Sequence, residues 1–338
     1  MRAYAGIDLH SSNNYVGVID EQDRRLYSKR LPNDLDTVLS VLAPFKKNLD
    51  GVVVESTFNW YWLVDGLMDH GYKVHLANPS AIKQYEGLKH TDDAWDSFWL
   101  AHMRRLNILH EGYIYPKKHR PVRDLLRRRL LFVKHRTAHI LSLQTMISRH
   151  LGSRMSVRAI KKLTEADADD LFDSPILAFG ASNNIAVISH LTEIVKRIEK
   201  EVMSQVKVRK EFKPLLTITG IGNILALTIM LEVGDIARFA KVGNYASYCR
   251  CVKSERLSNG KKKSENNRKN GNKYLSWAYV EAANFAIRFC PKAQRFYQRK
   301  KAKTNAIVAI KALSNKISRA SYYVMRDQVP YDAGKLFD

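Results

Sequence analysis

Tyr4-Ala5-Gly6-Ile7-Asp8-Leu9-His10 sets the start of the fold: a strand-like apolar run with one acid, Asp8, near its end. An ionised carboxylate on a strand of this buried type is unfavourable unless a cation compensates it. The pattern recurs at Gly51-Val52-Val53-Val54-Glu55-Ser56, where Glu55 again ends an apolar run. Two acids at two strand ends suggest a shared cation.

Around these runs the first hundred residues alternate strand and helix signals. Residues 3–9, 15–19 and 24–29 read as three strands, the first two separated by Ser11-Ser12-Asn13-Asn14. Asp36, Val38, Leu39, Val41 and Leu42 fit a helix starting after Pro32-Asn33; a strand at 52–55, a helix at 60–68 and a strand at 73–76 follow. Three strands, helix, strand, helix, strand is the element order of the ribonuclease-H-like fold, so the N-terminal part is expected to be α/β.

From residue 93 to the 150s the chain reads as helix. Pro121 suits a first turn, and Val122, Leu126, Leu130, Val133, Ile140 and Ile147 form an apolar stripe. Ile188, Leu191, Val195, Ile198 and Val202 form a second, heptad-like seam, and the two helices are expected to pair as a coiled-coil stalk or a dimer contact. Residues 153–184 are polar and mixed and receive no assignment. At Leu216-Thr217-Ile218-Thr219-Gly220-Ile221-Gly222 a glycine pair separates two apolar helical patterns, which fits either a helix-hairpin-helix, exposing N–H groups to phosphate, or a plain αα-corner. Residues 250–273 read as a loop carrying the turn dipeptides Asn259-Gly260 and Asn270-Gly271, with helices at 274–289 and 307–325. The expected division is an α/β domain over 1–110, a helical region over 111–210 and a mainly α domain over 211–338.

The 338 residues carry a net charge of +23 and three cysteines, Cys249, Cys251 and Cys290, too few for a disulfide framework or a zinc site. A reduced, cytoplasmic protein is expected, and no run is apolar and long enough to span a bilayer. Positions 117–136 hold nine Lys/Arg against Asp124, and positions 250–273 hold nine against Glu255 and Glu265, so the windows carry +8 and +7. Such density suits phosphate binding by counterion release, with Arg123, Arg127, Arg128, Arg250, Lys261, Lys262, Lys263 and Lys273 as candidate contacts. A solvated basic face is the plainer alternative.

Asp93 and Asp96, three apart at a helix start, project on one face. With Asp8 and Glu55 they make an all-oxygen set suited to Mg²⁺ or Mn²⁺ and phosphoryl transfer, although first-turn acids also complement a helix dipole unaided. Asp92 reads as the N-cap of that helix, and Glu232 and Asp235 as structural or solvated acids.

Gly6-Ile7-Asp8-Leu9-His10, Val53-Val54-Glu55-Ser56-Thr57, Ala77-Asn78-Pro79 and Asp93-x-x-Asp96-Ser97-x-x-Leu100-Ala101 resemble the N-terminal domain of DEDD-type insertion-sequence transposases, the Piv-like or "insertion sequence one-ten" family. Thr219-Gly220-Ile221-Gly222, Leu231-Glu232-Val233-Gly234-Asp235-Ile236-x-Arg238-Phe239, Ser258-x-Gly260-Lys261 and Lys269-x-Gly271-Asn272 resemble the family's C-terminal transposase domain. The resemblance covers nearly the whole chain, least at 153–184.

The resemblance implies a RuvC-like acid site that pairs with a serine attacking a DNA phosphodiester to form a phosphoserine link, and Ser258 matches that serine. Lys261, Lys262 and Lys263 could offset the growing charge. Without the resemblance Ser258 reads as a turn serine beside Asn259-Gly260, and because the family often shows Ser-Gly or Ser-Ser-Gly here, Ser254 and Ser264 stay open as alternatives. The family further implies double-stranded DNA as substrate, a structured noncoding guide RNA that pairs with donor and target, and a homo-oligomer, dimer or tetramer, on the nucleoid. Two rival readings remain: a Holliday-junction-type nuclease that hydrolyses DNA through water, and a noncatalytic nucleic-acid-binding protein whose acids are structural.

Overall fold

The computed structural model describes residues 1–79, 92–205, 211–253, 255–265 and 270–337, with backbone only at 255–258 and 262–265. Met1–Lys117 and Lys118–Asp338 form two compact units.

In the first unit β1 (Ala3–Leu9), β2 (Asn13–Asp20), β3 (Arg25–Pro32), β4 (Leu49–Glu55) and β5 (Val74–Ala77) form one sheet in the order β3-β2-β1-β4-β5. The first three strands pair antiparallel, and β4 and β5 join β1 in parallel. The element order expected from the sequence is observed, with α1 (Leu35–Leu42) before β4 and α2 (Tyr61–Asp69) after it. Side chains alternate across a strand, and here both faces are covered. Ala5, Ile7 and Leu9 pack with Val52 and Val54 against Val38, Leu42, Leu63 and Leu67 of α1 and α2. The alternate residues Tyr4 and Val53 meet α3 (Asp93–Arg105) instead, Tyr4 beside Phe98 and Ala101, Val53 beside Leu100 and Met103.

Two glycines let α3 lie directly on the sheet. A Cβ at Gly6 would stand 2.0 Å from the Ser97 carbonyl oxygen and 2.9 Å from the Ala101 nitrogen, and one at Gly17 would stand 2.6 Å from Ser97 Oγ. The same parity that turns Gly6 toward α3 turns Asp8 that way, two residues on.

The continuous helix expected from residue 93 onward is interrupted. α3 stops at Arg105, and Asn107 takes a left-handed φ of 56°. The chain then runs back along β5, where Gly112 N donates to Leu76 O and Asn78 N to His110 O. Apolar periodicity could not show this break, because the segment supplies buried Tyr115 and partly buried Ile114 to the core in extended form.

The second unit opens with α4 (Arg120–Leu151) and α7 (Pro175–Gln205). His139 to Asn184, Arg136 to Thr192 and Arg129 to Glu199 pair in reverse order, so the two helices run antiparallel within the chain. Ile188, Leu191, Val195 and Val202 of the seam are buried. The unassigned stretch holds α5 (Val157–Ile160), α6 (Asp167–Leu171) and the start of α7; Ile160, Ala168 and Phe172 are buried with Ile140, Leu143 and Ile147 of α4.

The rest is built on α8 (Phe212–Leu216), α9 (Asn223–Val233), α10 (Val242–Tyr248), α11 (Lys273–Phe289), α12 (Pro291–Lys303), α13 (Ala306–Asp327) and α14 (Ala333–Phe337). α9 is apolar all round and buried nearly throughout, as a central helix must be. Gly220 has a φ of 100°, and a Cβ there would stand 2.2 Å from Ala282 O on α11, so close helix packing explains this glycine. All three cysteines are free and buried.

Residues 250–273, expected to be a loop, contain a β-hairpin of β6 (Glu255–Ser258) and β7 (Lys261–Glu265). Asn259 and Gly260 both have positive φ, 49° and 70°, which is what a two-residue hairpin turn demands and what Asn-Gly supplies at little cost.

Candidate active site

In parallel register Gly6 opposes Val53 and Ile7 opposes Val54, so Asp8 and Glu55 are the next residues of adjacent strands on the face covered by α3. α3 brings its first turn to the same place. Asp92 caps it, accepting from Trp95 N at 2.8 Å, as its sequence position suggests, and this leaves Asp93 and Asp96 in the first turn.

Asp8 is 3% exposed, and its Oδ2 lacks a hydrogen-bond donor although His10 Nε2 is 3.1 Å away. The same nitrogen is 3.3 Å from Asp93 Oδ1, and one ligand atom each of Asp8, His10 and Asp93 falls within 4.8 Å of the others. Burial, a hydrogen bond shared with Asp8 and the charges of Asp8 and Asp96 push the Glu55 carboxyl up to about 7. Burial, then Asp8, Asp93 and Asp92, raise Asp96 as well. Mutual repulsion among carboxylates in a half-buried pocket favours the binding of further positive charge there. The orphaned Asp8 oxygen and the oxygen-rich donor set fit a hard divalent cation, with the His10 imidazole adding one nitrogen.

Two neighbours of these acids, His10 and Arg30, were not singled out from sequence. His10 lies inside the opening run, where an exposed strand end gave no hint of its contacts. Arg30, on β3, donates to Asp93 Oδ2 at 2.6 Å; nothing in the sequence connects positions 63 apart.

The turn that carries His10 is clamped by polar side chains. Asn33 and Asn59 both donate to the His10 carbonyl oxygen, at 3.0 and 2.9 Å. Asn14 donates in turn to Asn33 Oδ1, and Thr57 to Asn59 Oδ1. Loops after β3 and β4 thus fix the loop after β1.

In the second unit Ser258 pairs in register with Lys261 across the hairpin turn, and Ser264 with Arg256. The side chains of Ser258, Ser264, Lys262 and Lys263, and the whole of Ser254, lie outside the described residues. Among the other candidate cations Arg128, Lys261 and Lys273 are exposed. Arg250, with a φ of 54°, donates through Nε to Asn270 O at 2.8 Å and so ties together the two ends of the hairpin segment. Arg123 is buried, and Arg127 forms a bidentate pair with buried Glu232 at 2.6 and 2.7 Å, its guanidinium 4.5 Å from the Tyr274 ring. Glu232 also accepts from Asn272, which caps α11. The arginines of 117–136 therefore do not form one solvent-facing array: several hold helices together.

Residues 5–151 match a DEDD-type transposase model of the IS110 group, described as Transposase, and residues 213–298 match the Transposase IS116/IS110/IS902 family. The chain belongs to the IS110-type transposases. A 144-residue stretch is also 24% identical to a probable family 20 transposase of Pseudomonas aeruginosa, over 41% of this chain and 43% of that protein, so the chain spans under half of that relative's length. The mixed five-stranded sheet of the first unit is consistent with the DEDD type. Among the described residues no helix is long and apolar enough to cross a membrane.

Proposed function

We propose that this chain is the transposase of an insertion sequence, cutting and rejoining double-stranded DNA through a serine-phosphate link at Ser258. The gathering of Asp8, His10 and Asp93 within ligand distance of one another, with Glu55 and Asp96 close enough for their carboxyls to be raised by the same cluster, carries this reading. A Mg²⁺ or Mn²⁺ ion held there supplies Lewis-acid stabilisation of charge on a phosphoryl oxygen. Asp8 and Glu55, placed by strand register, and Asp93 and Asp96, placed by one helical turn, would hold that ion. Arg30 pairs with Asp93 and, with the His10 ring beside it, orients its oxygens.

Ser258 supplies the nucleophile. Its Oγ forms a bond to phosphorus as the bond to the leaving strand's oxygen breaks, and that oxygen takes up the proton. The place of Ser258 beside a tight turn, with Lys261 opposite, supports this role. Site choice by a noncoding RNA and action as a homo-oligomer complete the proposal and rest on the family resemblance.

The test is strand cleavage and joining on a duplex carrying the element's ends, with the flanking noncoding transcript and Mg²⁺. Asp8→Asn abolishes both reactions on this reading. Cleavage that survives Ser258→Ala identifies a water-using nuclease instead, and DNA binding without any cleavage identifies a noncatalytic binder.

A further inference from the structure

From Ala282 to Arg326 the chain contains no acid and eleven cations, a run longer than either basic window. Six of them, Lys292, Arg295, Arg299, Lys300, Lys301 and Lys303, sit on the 13 residues of α12. We infer that the exposed face of α12 is a binding strip for the phosphate backbone of duplex DNA, with Arg295, Arg299, Lys301 and Lys303 as its contacts.

The helix is amphipathic, and its other face is already occupied. Ala293 is buried, Phe296 and Tyr297 pack on the core, and Phe296 lies 5.9 Å from Phe337 of α14. No apolar face is left to enter a lipid surface, which separates this helix from a membrane-binding one. Arg295, Arg299, Lys301 and Lys303 are exposed and form no salt bridge among the described residues. Other cations of the same acid-free run have tasks: Lys311 donates to Ser276, Lys316 to the Leu336 carbonyl, and Arg326 pairs with Asp327.

A helix-dipole role accounts for the last-turn lysines but not for Lys292 and Arg295, which stand near the positive end. Arg295, Arg299 and Lys303 follow one another at i, i+4 and i+8, a row about 12 Å long in which like charges repel. A repelling row of regular spacing, in a stretch of sequence without a single acid, suits a regularly spaced polyanion. The contrast with α4 is physical: there Arg127 and Arg129 are held by Glu232 and Glu199.

The inference rests on the proposed action on DNA, and one titration separates the two. Binding of the full chain to a duplex of about 30 base pairs is measured from about 50 to 300 mM salt, with an RNA hairpin of similar length as a second arm. Glutamine replaces Arg295, Arg299, Lys301 and Lys303 in one variant, and Arg154, Arg158, Lys162 and Lys200, exposed elsewhere in the unit, in a control of equal charge change. The expected result is that the α12 variant keeps its melting temperature and lowers the slope of log K against log salt for DNA by about 0.9 per lost contact, about three to four in all, while the control changes it by less than about one. An unchanged slope, an equal fall in the control, or a fall confined to RNA overturns the α12 strip. A wild type that does not bind DNA at all overturns the reading beneath it.

Discussion

His10 Nε2 lies 3.1 Å from Asp8 Oδ2, so an exposed imidazole covers a buried carboxylate oxygen that no hydrogen bond satisfies. A small cation can replace that contact with a stronger one, and the pocket's other carboxylates gain by the exchange. The consequences are measurable.

Acidity is the first. Glu55 has a folded value of about 7 against an ordinary 4.5, so between these values the folded chain holds a proton that the unfolded chain has released. Stability from this group is present below about 4.5 and is lost as pH rises through about 7, the sense expected when the native state binds more protons. Metal binding runs the other way, because ligands must be deprotonated. Thermal melts should therefore show Mn²⁺ stabilisation that is small near about pH 5.5 and larger near about pH 8, and Glu55→Gln should flatten the metal-free pH dependence.

The close approach of α3 to β1 gives a second expectation. Gly6→Val places atoms where Ser97 O and Ala101 N already stand, at 2.0 and 2.9 Å from a Cβ. Chemical denaturation should show a loss of at least about 1–3 kcal/mol, and isothermal titration should show weaker Mn²⁺ binding in the fraction that folds.

Asn59 reaches the site through the His10 carbonyl, to which it donates at 2.9 Å. Asn59→Ala should weaken Mn²⁺ binding by about 10-fold to 100-fold, the usual effect of removing a group that orients a ligand-bearing segment, while leaving the melting temperature of the metal-free protein nearly unchanged.

Glu232 balances Arg127 and holds the Asn272 cap beside the hairpin segment. Glu232→Ala removes the close acceptor of both, leaving Arg127 with Asp124 at 3.7 Å and Asn272 with the Tyr248 hydroxyl at 3.5 Å, and a destabilisation of about 3–5 kcal/mol is expected in urea titration. Exposed Arg128, next to Arg127 on α4, should tolerate Ala within about 0.5 kcal/mol.

The first unit was legible because its signals are local: β1 and β4 are apolar runs, their acids fall at strand ends, and parallel register aligns Asp8 with Glu55. The break after α3 was hidden, since Ile114 and Tyr115 keep an apolar pattern without forming a helix. Asn259-Gly260 was recognised as a turn, but its two flanking strands are polar, with no alternation to mark them. Partners far apart in sequence were invisible, as with Arg30 on Asp93 and Arg127 on Glu232. Charge density alone therefore misjudged which cations face solvent. The acid-free run around α12 is visible in the sequence, but its cations are spread more thinly than those of the two basic windows.

The central claim, a phosphoserine formed by an acid-cluster transposase, is tested most directly by mass spectrometry of the wild-type chain incubated with Mg²⁺ and a duplex bearing the element's ends. The account predicts a nucleotide adduct on Ser258 that disappears with EDTA, with Asp8→Asn and with Ser258→Ala. Strand joining with no adduct, or with an adduct on Ser254 or Ser264, would contradict it.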